Sequence, residues 1–198
     1  MDSLPPVFGA SDVDEFRPEN SPRTYLIGVM TYRQRQAFFR ELHRKAGRQL
    51  GRDAMLSGLR DALAELAPAN LDDLLETLDE AEAEPESERF NGRLALIERA
   101  ASAVPSYAAL IEAQDAYNDA RPWLAAQHGL RGWSGPGLPP FDAPGGKVPD
   151  DLLDSIPAFE LTSIGNRAFM LSLVGRLAEK NSEAHSPLPE SPAPTLEG

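Results

Sequence analysis

Cysteine is absent from the chain. That excludes disulfide staples, thiolate nucleophiles and Cys-ligated zinc, and it fits a reducing compartment. Histidine is scarce: His43, His128 and His185 are the three. None stands in an H-x-x-x-H spacing or beside a nucleophile, so all three read as surface histidines rather than metal ligands or bases. No apolar run approaches the ~20 residues that span a bilayer; the longest runs from Ala168 to Gly175. The start, Met1-Asp2-Ser3-Leu4-Pro5, lacks the basic stretch and apolar core of a secretory signal. The phosphate-binding patterns G-x-G-x-x-G and G-x-x-x-x-G-K-[ST] do not occur, nor does the nucleophile pattern G-x-S-x-G. Gly145-Gly146-Lys147-Val148 lacks the spacing and the Ser/Thr of a phosphate loop, and reads as a turn before a helix. The expectation is a protein that is not an enzyme, with no cofactor, no metal and no membrane partner.

What the chain does have is unevenly placed charge. Its formal net charge is −12 over 198 residues. Between Thr31 and Asp53, however, seven Lys/Arg stand against two acids, for a local +5. Between Asp72 and Glu88 there are nine acids and no base, for −9. An acidic protein is a poor general ligand for phosphate backbones, which argues against nucleic acid. The basic stretch keeps one exception open, a DNA-binding regulator using residues 31–66. The break from Gly47 to Arg52 is nevertheless longer than the tight turn of a helix-turn-helix. Glu80, Glu82, Glu84 and Glu86 lack the order of a calcium loop and read as a solvated acidic linker.

The apolar residues follow helical spacing over most of the length. The expected fold is mainly α: six or seven helices, a minor N-terminal β element and disordered ends. Residues 1–22 read as irregular. Arg23 to Met30 is the strand candidate, rich in β-branched and aromatic residues at Thr24-Tyr25-Leu26-Ile27, with a partner strand from Val7-Phe8 or Val13 to Phe16. Thr31 with Gln34 three residues later makes a capping box, opening a helix with the stripe Phe38, Phe39 and Leu42. A second helix is expected from Asp53 to Leu66, with Met55, Leu59, Leu63 and Leu66 on one face. A third, capped by Asn70, carries Leu71, Leu74, Leu75 and Leu78 at i, i+3, i+4 and i+7. The fourth covers about 88–103, with Phe90, Leu94, Ile97 and Ala101 inward. The fifth starts at Pro105, and Pro122 either kinks it or opens a short sixth.

Residues 129–149 form an expected Gly/Pro-rich loop holding Trp133 and Phe141. Loops this long inside a domain are uncommon and often functional. Two readings stand side by side: the aromatics anchor a partner, or the loop folds back and buries both. A short helix, Asp150 to Ser155, precedes Pro157. The last helix, about 158–178, carries apolar residues on two faces, with Leu161, Ile164, Ala168 and Leu171 on one and Phe169, Leu173 and Leu177 on the other. Such a helix is central to a core or docks a partner. Residues 181–198, with four Pro and three Ser, read as a disordered tail. The expected organisation is therefore residues 1–22 irregular, 23–180 a helical domain, and 181–198 a tail.

Several of these pieces together resemble the tail assembly chaperones of long-tailed, siphovirus-type bacteriophages. They are the segment Tyr25 to Thr31 running into Tyr32-Arg33-Gln34-Arg35-Gln36-Ala37-Phe38-Phe39-Arg40-Glu41-Leu42; Gly132-Trp133; Val148 to Pro157; and Lys180-Asn181-Ser182 before a Ser/Pro tail. The likeness covers about residues 23–182. Residues 1–22 depart from the pattern, being longer and richer in Pro. The resemblance implies a small, acidic, mainly helical protein that is not an enzyme. It would bind the long apolar tape-measure protein, keep it soluble, and help tail-tube subunits polymerise around it. It would act in the cytoplasm of the bacterial host and be absent from the mature virion. Tape-measure protein is the expected partner, with the major tail tube protein and self-association as further ones. Partner-binding candidates are Trp133 and Phe141 in the loop, Arg35, Phe38, Phe39, Arg40 and Leu42 in the basic helix, and Phe169 in the last helix. The alternative is a structural or adaptor subunit retained in the virion.

Overall fold

The computed structural model describes residues 13–84 and 91–183, and side chains as far as residue 173. Among these residues the protein is mainly helical, with seven α-helices and one three-stranded sheet. In chain order they are β1 (Val13–Phe16), β2 (Thr24–Gly28), α1 (Tyr32–Ala46), α2 (Arg52–Leu66), α3 (Leu71–Ala83), α4 (Asn91–Ala101), α5 (Pro105–Gly129), β3 (Leu130–Ser134), α6 (Asp150–Asp154) and α7 (Ala158–Glu183). The described residues divide into two compact units. One takes residues up to Phe38 together with those from Pro122 onward; the other takes Phe39–Arg121.

The first unit is built on an antiparallel sheet of order β1-β2-β3. Strand β1 is the Val13 to Phe16 candidate, and it pairs with β2 from Val13↔Gly28 to Phe16↔Tyr25. Val7-Phe8 lies outside the described residues. The other neighbour of β2 corrects the sequence reading: Leu130–Ser134, expected to be loop, is β3, with Tyr25↔Trp133 and Leu26↔Gly132 in register. Strand pairing dictates this conformation. The segment Leu130-Arg131-Gly132-Trp133-Ser134 shows no apolar alternation of its own, and a Cβ at Gly132 would sit 3.1 Å from Leu26 Cδ1.

Tyr25 and Ile27 share one face of β2, and both are fully buried. Helix α7 packs against this strand. The C-terminal part of α5 is buried on every face, from Leu124 through Gly129, which places it at the centre of the unit. Small residues let the neighbouring backbone close on it. A Cβ added at Gly165 of α7 would lie 2.0 Å from Pro122 O, and one at Gly129 would lie 2.7 Å from Ala168 Cβ. Pro122 does not end α5, which runs unbroken from Pro105 to Gly129. The inward stripe of α7 is Leu161, Ile164, Ala168 and Leu171, all buried as expected.

Helix α1 starts as its capping box predicts. Thr31 N donates to Gln34 Oε1 at 3.0 Å, and Gln34 N donates back to Thr31 Oγ1 at 3.4 Å. Two orphan amides are thereby satisfied.

The second unit holds α2, α3, α4 and the first part of α5. Its core joins Leu56, Leu59, Ala62 and Leu63 of α2 to Leu78 of α3, Ile97 and Ala101 of α4, and Val104 and Tyr107 at the start of α5. Two expectations change here. Leu66 is 42 % exposed rather than part of the buried face, because α2 ends there and Ala67 turns left-handed at φ 42°. Asn70 makes no side-chain cap bond to α3; its φ of −111° and ψ of 34° lie outside the extended geometry an N-cap adopts. The Phe90 expectation lies outside the described residues, as do those for residues 184–198.

Candidate interaction surfaces

Glu160 is the most deeply buried carboxylate among the described residues, at 1 % exposure. It sits in the first turn of α7, where a negative charge is favoured by the helix dipole. Tyr25 Oη donates to Glu160 Oε2, and Arg23 Nη1 approaches Oε1 at 2.8 Å. Arg23 Nε in turn donates to Pro136 O at 2.8 Å. Burial, and then the bond to Glu160, push the Tyr25 phenol well above its usual range. The cluster ties β2, the turn after β3, and α7 together. Arg167 of α7 makes a second tie, Nε to Asp14 Oδ2 at 2.7 Å. These are structural clamps in which each buried charge is paired, as burial requires. Sequence reasoning missed Glu160, and a lone acid in the first turn of a helix gives little signal.

The Gly/Pro-rich segment after β3 folds back on itself. Trp133 Nε1 donates to Pro139 O at 2.7 Å, and the Trp133 and Phe141 rings meet edge-on at 4.8 Å. Both side chains are half-buried. The segment then makes a single 3-10 turn at Pro144–Gly146 and returns to α5, where Val148 N donates to Gln127 O at 2.9 Å. Val148, Leu153 and Ile156 are buried, which anchors the loop and the short α6.

The α1 candidates separate into two groups. Phe38 and Leu42 are fully buried and Arg35 is 3 % exposed, so none of the three presents an open contact surface in this conformation. Phe38 packs against Phe169 at 6.1 Å and edge-on to His128 at 6.2 Å. His128 is therefore buried, not the surface residue expected; it belongs to the all-buried stretch of α5. Phe39 and Phe169 are half-buried, while Arg40 is exposed.

The clearest opening lies in the second unit. Leu63 of α2, Pro68 and Asn70 of the connection, Leu74 of α3, and Arg93, Leu96, Ile97 and Ala100 of α4 line an apolar groove of about 430 Å³, a volume within the range of ligand-binding clefts. Leu96 is 69 % exposed. Beside the groove, and sharing Arg93 with it, lies a polar hollow lined by Asp73, Glu76, Thr77 and Glu80. Thr77 is satisfied locally, donating to Asp73 O at 2.9 Å. None of these groove residues was singled out as an interaction candidate. The signal was present: Arg93, Leu96, Ile97 and Ala100 stand at i, i+3, i+4 and i+7, a second helical face beside the core stripe Leu94, Ile97 and Ala101.

Among the described residues no group of three or more His, Asp or Glu is arranged to hold a metal ion. No single described helix is long and apolar enough to cross a membrane. Compared with protein-family models, curated proteins and solved structures, the chain matches none.

Proposed function

We propose that this protein is a non-enzymatic assembly chaperone of long-tailed phages. It binds the tape-measure protein in the host cytoplasm, keeps it soluble while tail-tube subunits polymerise around it, and leaves before the particle is finished. The supporting observation is the open apolar groove of α2, α3 and α4, with Leu96 exposed at its side. Grooves between helices accept the apolar face of an amphipathic helix, which is the form a long apolar helical client offers. The overall charge of −12 suits a holding role, because like-charged complexes repel one another and stay soluble. The motifs at residues 25–42, 132–133, 148–157 and 180–182 supply the resemblance on which the identity of the client rests.

The test is a tagged copy expressed in its native producing cells and recovered gently. The expected result is co-purification of a very long tape-measure-like protein, with the tagged chain missing from finished particles. Recovery of the chain in purified particles would instead make it a virion adaptor. Recovery with DNA, in a complex that dissolves steeply with salt, would make it a regulator.

A further inference from the structure

The acidic residues of α3 fall into two groups with different partners. Asp79 and Glu82 are taken by Arg60 of α2, at 2.7 and 2.6 Å. Asp73, Glu76 and Glu80 make no ion pair among the described residues. They stand at i, i+3 and i+7, so they form one row along α3, about 10 Å long at 1.5 Å per residue. This row borders the hollow that meets the apolar groove at Arg93. Three carboxylates against one guanidinium leave this margin of the groove net negative.

We infer that the groove receives an amphipathic helix whose apolar stripe is edged by lysine or arginine. The apolar stripe would cover Leu63, Leu74, Leu96 and Ile97. Cations one turn apart along its edge would meet Asp73, Glu76 and Glu80, since charges at i, i+4 and i+7 of a partner helix repeat at the spacing of the row. Neither the basic helix α1 nor the segments 1–12 and 184–198 fit this description of the occupant. Helix α1 is basic, but its apolar residues Phe38 and Leu42 are buried. Residues 184–198 contain two acids and no Lys or Arg, and residues 1–12 contain two acids and no Lys or Arg, so neither segment carries the lysine or arginine that the row calls for. The inference rests on the chaperone reading, and it specifies which segments of a client are held: helical ones, apolar on one side and cationic at the border.

The probe is a pair of labelled synthetic helices of about 20 residues, long enough to hold helical structure. Both carry leucine at i, i+3, i+4 and i+7; one is edged with lysine and the other with glutamate. Fluorescence anisotropy with the full chain should show binding of the lysine-edged peptide, weakening as salt rises. Leu96→Asp, at an exposed position, should keep the circular dichroism of the wild type and lower affinity by roughly tenfold or more. Asp73→Lys combined with Glu76→Lys should transfer the preference to the glutamate-edged peptide. Equal binding of both peptides by the wild type, or unchanged binding by Leu96→Asp, overturns the inference. So does concentration-dependent self-association that Leu96→Asp abolishes, because the occupant is then a second copy. Pull-down from producing cells separates the two levels. If Leu96→Asp still recovers the long client, the groove inference fails and the chaperone reading stands. If the lysine-edged peptide binds but wild type recovers no client, the groove stands and the chaperone reading fails.

Discussion

Gly165→Ala is the substitution for which the structure makes the firmest demand. The added Cβ would lie 2.0 Å from Pro122 O, 2.4 Å from Pro122 C and 2.5 Å from Pro122 Cα. A Cβ needs about 3 Å or more from such atoms, so α7 and α5 must separate by about 1 Å. No side-chain rotation relieves this, because every atom met belongs to the backbone of a helix that is buried from Leu124 onward. Overpacking a core costs about 1–3 kcal/mol, and a backbone-to-backbone clash belongs at the top of that range. Alanine returns about 1 kcal/mol through its better helix propensity. The net expectation is a loss of about 2 kcal/mol, or a fall of about 4–8 °C in Tm for a chain of this size. The assay is urea unfolding followed by tryptophan fluorescence, since Trp123 and Trp133 both belong to the unit that contains Gly165. Two helical glycines of the other unit give the comparison, followed by circular dichroism in the same urea series. At Gly92 a Cβ meets nothing within 4 Å among the described residues, so Gly92→Ala should be neutral or stabilising by up to about 1 kcal/mol. At Gly58 it meets Leu110 Cδ1 at 2.2 Å, the movable end of a side chain, and Gly58→Ala should cost less than Gly165→Ala. A Gly165→Ala protein as stable as wild type would refute the close packing of α5 and α7.

The buried Tyr25 phenol makes a pH prediction. Its pKa is raised above the ordinary value of 10.0 by burial and by its bond to Glu160. Between the two values the unfolded chain has lost a proton that the folded chain keeps, so stability falls as pH rises above about 10. Tyr25→Phe should flatten part of that alkaline slope in urea unfolding; Tyr107 and Tyr117, also raised by burial, leave the rest. An unchanged slope would sink the assignment. Trp133→Ala removes the bond to Pro139 O and the contact with Phe141. It should lower the Tm by several degrees, on the basis of about 1–2 kcal/mol for a half-buried aromatic contact and one hydrogen bond. Client recovery measured beside the Tm decides the ring's role: a loss of client at unchanged Tm would make it an anchor instead of a brace.

Much of the helical framework was legible because its signals are local. Thr31 and Gln34 cap α1 as their spacing dictates, and the stripes Leu59/Leu63 and Ile97/Ala101 point inward. What the sequence hid depends on tertiary pairing. Strand β3, Leu130-Arg131-Gly132-Trp133-Ser134, shows no apolar alternation and holds a glycine at its centre, so its pairing with β2 is what reveals it as a strand. His128 looked like a helix-end surface residue, yet it is buried, with Phe38 of α1 edge-on against its ring. The groove escaped notice for a related reason. Leu96 lies off the core stripe of α4, and only the placement of α2 and α3 shows that it borders a cleft. The row Asp73, Glu76 and Glu80 could be read as an acidic helix face, but which acids Arg60 takes depends on the fold.

The pairing of β2 with β3 also sets a schedule for synthesis. Leu26 and Gly132 are register partners separated by about a hundred residues of chain, which a ribosome adds in about 5–20 s at 5–20 residues per second. Through that interval Tyr25 and Ile27 have emerged without the strand and helix that later bury them. The segment Phe39–Arg121, by contrast, is contiguous and complete before β3 exists. Translation thus delivers the groove-bearing segment first, and the sheet is joined only when the second half of the chain arrives.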